Sequence, residues 1–353
     1  MVGKRIPIRG RGAAKNPANR FETLHYERNL GRMDAADPAP KTQFLKDSPR
    51  SIITYNQSPD LGYEASVNPY RGCEHGCSYC YARPYHEYLG FSAGLDFETK
   101  ILVKESAPEL LRRELSSPGW KPQVLTLSGV TDPYQPVERT LQLTRRCLEV
   151  VAEFRNPVQI VTKNHLIRRD LDLLAELAKI EAAAVCLSLV TLDSSLSRTM
   201  EPRTSTPTRR LAAIEDLSGA GVPTGVLVAP VIPGLTEHEL PAILEAAAKA
   251  GARFAEYILL RLPLAVGPLF EDWLQRNVPQ RKDKILNRIK EIRGGRLYDS
   301  RFCSRLKGKG IFAEQISRLF TVARKKEGIS EGWPQLSTAA FRTARPQQRS
   351  LFD

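Results

Sequence analysis

The run Asn68-Pro-Tyr-Arg-Gly-Cys73-Glu-His-Gly-Cys77-Ser-Tyr-Cys80-Tyr81 sets three cysteines in the spacing C-x3-C-x2-C. Three thiolates that close together can hold three irons of a four-iron cubane and leave the fourth iron without a protein ligand. An iron with an open position is a reaction site. Cys73, Cys77 and Cys80 are therefore read as metal ligands, holding a [4Fe-4S] cluster.

Two other chemistries compete for this spacing. Structural zinc closes with four ligands, and the nearest fourth candidate is His75, wedged between two of the cysteines, where a tetrahedral shell would be strained. A disulfide framework fails on context. Six cysteines among 353 residues is sparse, and no amino-terminal apolar stretch reads as a secretory signal. The chain is thus expected to be cytoplasmic and reduced. Cys147, in a helical pattern, and Cys186, in an apolar run, read as small buried hydrophobes. Cys303 stands alone in a basic segment and cannot seat a second cluster.

Outward from the cysteine run, short apolar segments alternate with amphipathic ones. Strands are predicted over 65–70, 124–128, 158–162, 184–189, 224–231 and 257–262, and helices over 107–115, 141–154, 169–179, 208–219 and 237–250. Such alternation is the pattern of parallel α/β folds. Six strands with intervening helices make a partial (β/α)6, TIM-like barrel. After Pro263 the pattern turns helical, at 268–276, 279–292 and 312–325. The organisation read from this is a basic extended arm (1–55), the barrel (56–265), a basic helical extension (266–327) and a poorly ordered tail (328–353).

The net charge of +13 is unevenly spread: +6 over residues 1–33, +12 over 276–353, and −5 over 34–275. Basic ends beside a mildly acidic core suit a phosphate-tracking role. The competing reading is a solvated, solubilising surface. No stretch approaches the roughly 20 apolar residues of a membrane span, so a soluble protein without a membrane partner is expected.

The cysteine spacing, with Tyr79 just before the last cysteine, resembles that of the radical S-adenosylmethionine (radical SAM) enzymes. The wider text Asn68-Pro-Tyr-Arg-Gly-Cys73, Thr131-Asp-Pro-Tyr-Gln-Pro-Val-Glu138 and Glu201-Pro-Arg203 resembles the spore photoproduct lyase-like branch, nearest to a group of its members without an assigned substrate. The resemblance spans roughly residues 50–325. It implies the partial barrel independently, and two cofactors: a [4Fe-4S] cluster, and S-adenosyl-L-methionine chelating the open iron through its amino and carboxylate groups. It also implies that Tyr79 faces the adenine ring.

In barrels of parallel strands the reactive groups collect at the carboxyl ends of the strands, and the polar motifs fall there. After the second strand, residues 128–138 replace the Gly-Gly-Glu text with which many family members bind the methionine amino group. Ser128 and Asp132 are preferred for that role, with Glu138 instead capping the next helix. By resemblance, Lys163 after the third strand and Ser188 on the fourth contact the methionine carboxylate. Arg203 either forks onto a carboxylate or ribose or pairs with Glu201. Arg261 ends the sixth strand and, if buried, needs a partner. His165 is either a proton donor or a structural hydrogen-bonding group.

The resemblance implies one-electron reduction by an external flavodoxin- or ferredoxin-type partner, cleavage of S-adenosylmethionine to a 5′-deoxyadenosyl radical, and hydrogen abstraction from a substrate. Catalytic side chains beyond these contacts are not legible. The substrate reading is nucleic acid, as in photoproduct-lyase-like repair. The alternatives are modification of a small molecule or protein side chain, and a nucleic-acid-binding iron-sulfur redox sensor. The specific thiol that donates hydrogen in photoproduct lyases has no evident counterpart.

Overall fold

The computed structural model describes residues 8–22 and 40–343. Six parallel strands, β1 (Ala65–Val67), β2 (Leu125–Leu127), β3 (Val158–Thr162), β4 (Ala183–Ser188), β5 (Thr224–Val231) and β6 (Phe254–Leu259), lie hydrogen-bonded in chain order. The sheet is extended by Ile53–Tyr55, antiparallel to β1, and by Ser330–Glu331, parallel to β6. Five helices cross between the strands: α1 (Ala107–Leu115), α2 (Leu143–Phe154), α3 (Leu171–Ala178), α4 (Pro207–Gly219) and α5 (Leu240–Lys249). This is the partial (β/α)6 barrel. Among the described residues no helix is long and apolar enough to cross a membrane.

The strands are largely buried, and all six residues of β4 are. Helix α1 shows why the crossovers pack. Its buried Ala107, Leu110, Leu111 and Leu115 fall on one stripe of a 3.6-residue period. Cys147 on α2 and Cys186 on β4 are inside this packing, as the sequence suggested. After β6, α6 (Val266–Asn277), α7 (Lys282–Glu291) and α8 (Ile311–Lys326) follow. Helix α8 covers β6, with the Phe320 and Tyr257 rings 4.7 Å apart. Helices α6 and α7 bury Trp273, Phe270 and Ile285 against Ile232 and Leu260, and Tyr79 and Cys77 pack on this same cluster.

Several elements depart from the expected bounds, and four of them show the local reason. Strand β1 stops at Val67 because Pro69 has no N–H for the ladder. Tyr70–Arg71 pairs instead with Lys100–Val103, in a second sheet that also carries Gln43–Lys46. Strand β6 starts three residues early, where Phe254 pairs with Gly225; a side chain on Gly225 would sit 2.4 Å from that ring. The helix expected over 141–154 breaks at Gln142 (φ +51°), so a short turn, Glu138–Leu141, precedes α2. The helix expected from 169 begins as a tight 3-10 turn, His165–Asp170, before α3.

Both ends of the chain contribute packing where they are described. Residues 8–22, within the segment read as an arm, lie against the cysteine loop. Beyond Gly328, Ser330–Glu331 joins the sheet and Trp333 packs on Phe254, their ring centroids 5.1 Å apart. Residues 1–7 and 23–39 of the arm and 344–353 of the tail lie outside the described residues.

Candidate iron-sulfur and cofactor site

The cysteine loop leaves the carboxyl end of β1 through two tight turns at glycine. Gly72 and Gly76 have φ of +76° and +65°, a region open to glycine at little cost. A Cβ on Gly76 would lie 2.6 Å from the Glu98 carboxylate. The Cys73 amide donates to Phe97 O at 2.9 Å, and the Ser78 amide to Met200 O at 2.9 Å, which ties the loop to two elements distant in sequence. Cys73 and Cys77 are buried and Cys80 is half-buried.

A buried ion pair underlies the loop. Arg83 and Glu98 are both fully buried, with Nη2 and Oε1 2.5 Å apart. The Arg83 guanidinium also donates to the carbonyls of Gly76, Cys77, Ala93 and Gly94. Glu98 in turn accepts from the amides of Gly12 (3.1 Å) and Ala13 (2.8 Å), while Arg11 donates to the Glu98 carbonyl at 2.8 Å. Residues 8–22 therefore form a strap across the loop. At Gly12 the approach is so close that a Cβ would fall 1.8 Å from Gly76 O.

His75 is fully committed within the protein. Its Nε2 lies 3.3 Å from Asn164 Nδ2 and its Nδ1 3.4 Å from Asp132 Oδ2; burial lowers its pKa, but Asp132 and the Cys73 thiol outweigh burial and raise it to about 10. It is thus unavailable as the fourth ligand that zinc would need. Among the described residues no group of three or more His, Cys, Asp or Glu side chains gathers around one point, as a single metal ion requires. A cubane is less demanding, because it spreads its thiolates over separate irons. Burial pushes the Cys77 thiol well above its ordinary range, and burial, only partly offset by Arg83, raises Cys80 to about 11. Thiolates in this loop therefore need a cationic partner that deprotonates them. The donor set fits an iron-sulfur core.

Beside the thiols lies a second buried network, centred on Glu201. The Tyr79 hydroxyl donates to Glu201 Oε1, and Arg210 donates to Glu201 Oε2. Lys163 Nζ is 3.8 Å from Glu201 Oε1, donates to Ala229 O at 3.2 Å, and lies 5.9 Å from the Tyr79 ring centre. Arg210 also donates to Ser188 O at 2.8 Å. Burial pushes the Glu201 carboxyl up, but Arg210 and Lys163 outweigh it and hold it below the usual carboxylate range. Tyr79 and Lys163, expected cofactor contacts from two loops, thus meet at Glu201, and Arg210 links Glu201 to the backbone carbonyl of Ser188 on β4.

The other expected contacts lie as follows. Asp132 is taken up internally: its oxygens accept from Thr162 Oγ1 and the Lys163 amide, both at 2.7 Å, so it fixes where Lys163 starts. Ser128 is half-buried at the end of β2, with φ of +142°, a conformation that side chains seldom adopt. Glu138 does cap, accepting from the Thr144 and Arg145 amides at the start of α2. Arg203 pairs with Glu74 at 3.0 Å and Thr42 at 3.3 Å, whereas Glu201 goes to Arg210. His165 Nδ1 meets Ser205 Oγ at 2.8 Å. Arg261 finds its partner in an aromatic face, 5.2 Å from the Tyr81 ring centre.

Sequence reasoning missed the strap, the Arg83–Glu98 pair and Arg210. A lone glutamate within an ordinary helix carries no signal of its own, and the close-packed Gly12 was hidden in a glycine- and arginine-rich stretch that reads as unstructured.

Known proteins resemble this chain in sequence and in fold. The radical SAM superfamily profile matches residues 67–247. An uncharacterized protein of Mycobacterium tuberculosis is 39% identical over 234 residues, 66% of this chain and 68% of that protein. One of Methanocaldococcus jannaschii is 27% identical over 248 residues, covering 70% and 88%. A spore photoproduct lyase with bound AdoMet and dinucleoside spore photoproduct shares the fold at a TM-score of 0.58, with 16% identity and 82% of each chain covered. The chain belongs to the radical SAM superfamily, whose members use a [4Fe-4S] cluster and S-adenosylmethionine.

Proposed function

We propose that this radical SAM enzyme holds its cluster through Cys73, Cys77 and Cys80, and that its substrate is a nucleic acid. When bound, the cluster and S-adenosylmethionine supply, after one-electron reduction by an external flavodoxin- or ferredoxin-type partner, a 5′-deoxyadenosyl radical that takes a hydrogen atom from the substrate. The observation that supports the ligand assignment is a trio of thiols on one loop, two buried and one half-buried, beside a His75 imidazole that already faces Asp132 and Asn164.

The remaining roles belong to this chain's side chains. Lys163 Nζ, bonded to the Ala229 carbonyl and 3.8 Å from Glu201 Oε1, is the candidate for the cofactor's methionine carboxylate, together with Ser188. Tyr79 is held by Glu201 so that its ring offers a fixed face to the adenine. Ser128 is the candidate for the methionine amino group, and Asp132 acts by orienting Lys163 and His75. Arg203, anchored on Glu74, is the candidate for the ribose. The apolar packing from α6 and α7 keeps water from the thiols. The nucleic-acid substrate is supported by the charge of +12 on residues 276–353, beside a core that is mildly acidic.

The test is anaerobic reconstitution with iron and sulfide, reduction by dithionite and addition of S-adenosylmethionine. Release of 5′-deoxyadenosine by the wild type, and none by Cys77→Ala, is expected. An intact [4Fe-4S] spectrum that is unmoved by S-adenosylmethionine, with no release, refutes the reading.

A further inference from the structure

The polypeptide around Cys80 carries a row of aromatic rings on its outer face. Tyr85 and Tyr88 are 53% and 68% exposed. They are three apart on the 3-10 helix Arg83–Leu89, where side chains at i and i+3 eclipse. Tyr88 continues onto Phe21 of the strap, ring centres 4.9 Å apart, and Arg20 lies over the Phe21 ring at 4.9 Å. In the other direction, Tyr63 lies against Gly129, where an added Cβ would sit 3.1 Å from its hydroxyl. Tyr81, 40% exposed, meets the same glycine, its hydroxyl donating to Gly129 O at 2.5 Å, and Arg261 lies 5.2 Å from its ring centre. The rings thus extend from the strap to Tyr81, the residue after the last cysteine.

Guanidinium groups are interleaved with these rings, in two kinds. Arg20 and Arg305 are held by Glu87 and Asp60, so their charge is answered while their planes stay beside Phe21 and Phe302. Arg261 has no carboxylate partner among the described residues, and its Nε is buried without a hydrogen bond. In the loop 292–310, which carries Phe302 and Arg305, Arg293 is buried and Arg301 and Arg305 pair with Asp299 and Asp60, which leaves Arg296, Lys307 and Lys309 without a carboxylate partner among the described residues. Exposed tyrosines on a soluble surface bury nothing by themselves; combined with unanswered positive charge, they match a planar, anionic, repeating ligand.

We propose that this row is a track for single-stranded nucleic acid, whose bases stack on Tyr85, Tyr88 and Phe21 while its phosphates follow Arg261 and the 292–310 loop, delivering one nucleotide past Tyr81 to the cluster. A duplex hides its base faces, whereas a single strand offers one to each ring. The track rests on the nucleic-acid reading above and adds to it the form of the polymer and the residues that hold it.

The experiment is fluorescence anisotropy with the full-length chain and labelled oligothymidylate, oligouridylate and a blunt duplex of about 15 nucleotides. Single strands bind more tightly than the duplex, and the tighter of the two single strands identifies DNA or RNA as the polymer. Tyr85→Ala and Tyr88→Ala each weaken binding by about tenfold, with circular dichroism and iron content unchanged. Arg261→Gln lowers the slope of log Kd against log salt by about one. Equal binding by the tyrosine variants and the wild type, duplex bound as tightly as single strand, or polyglutamate preferred to either oligonucleotide overturns the track. Wild-type protein that binds no oligonucleotide sinks the nucleic-acid reading itself. Absence of 5′-deoxyadenosine, measured in parallel on the wild type, refutes the cofactor assignment and leaves the binding result to be judged alone.

Discussion

Replacing Glu98 with alanine tests whether the strap and the cysteine loop are one mechanical unit. Glu98 receives three donors, Arg83 Nη2 at 2.5 Å, the Ala13 amide at 2.8 Å and the Gly12 amide at 3.1 Å, and neither Glu98 nor Arg83 is exposed. The substitution leaves the Arg83 guanidinium buried with four carbonyls but no counter-charge. Removing one partner of a buried pair costs about 3–5 kcal/mol. Two orphaned amides would add about 1–3 kcal/mol each if they stayed dry, but residues 8–22 can lift into water and avoid that. The expected loss is therefore about 3–5 kcal/mol in the urea unfolding of cluster-free protein, accompanied by a freed strap. Limited trypsin digestion reads the second effect, because Arg9, Arg11, Lys15 and Arg20 would become cleavable. Glu98→Gln keeps an acceptor for the amides and should lose less. Glu98→Ala protein within about 1 kcal/mol of the wild type, with an unchanged tryptic pattern, would refute the account.

Gly12→Ala places a methyl group 1.8 Å from Gly76 O, so the strap must lift; cluster absorbance in air is expected to bleach faster than in the wild type. Lys163→Gln removes the ammonium meant for the methionine carboxylate, and the Kd for S-adenosylmethionine, read by calorimetry on reconstituted protein, should rise about ten- to a hundredfold, as for a lost charged hydrogen bond. Lys104 provides a pH test. Burial, reinforced by Arg71 and only partly opposed by Asp47, lowers its pKa to about 8. Between that value and the ordinary lysine range the unfolded chain binds the extra proton, so stability rises with pH across roughly 8 to 10. Lys104→Met should abolish that rise; an identical pH profile in the variant would show that Lys104 titrates normally.

Much of the barrel was legible because its signals are local. Strands β3 and β5 were bounded correctly, each being an apolar, β-branched run closed by a turn. The cysteine loop was placed after β1 by the general rule for barrels. What escaped was set by partners far away in the chain. The start of β6 depends on Phe254 meeting Gly225, and the break at Gln142 depends on Glu138 capping α2. Within the site, residue types were easier to identify than their pairings. Glu201 was noticed only as a partner for Arg203, yet the fold gives it Tyr79 and Arg210, and gives Arg203 to Glu74. The strap was invisible because its partners, Glu87, Asp96 and Glu98, lie 68, 80 and 86 residues away along the chain and several of its bonds use backbone groups that any sequence can offer.

The two outermost strands of the large sheet are very short, three residues at 53–55 and two at 330–331. Short terminal strands of this kind blunt an edge that would otherwise template another chain. A chain trimmed after residue 327 would therefore do more than lose a loose end. It would uncover the amide row of β6 together with the Phe254 ring that Trp333 covers, and self-association through that margin is the expected result.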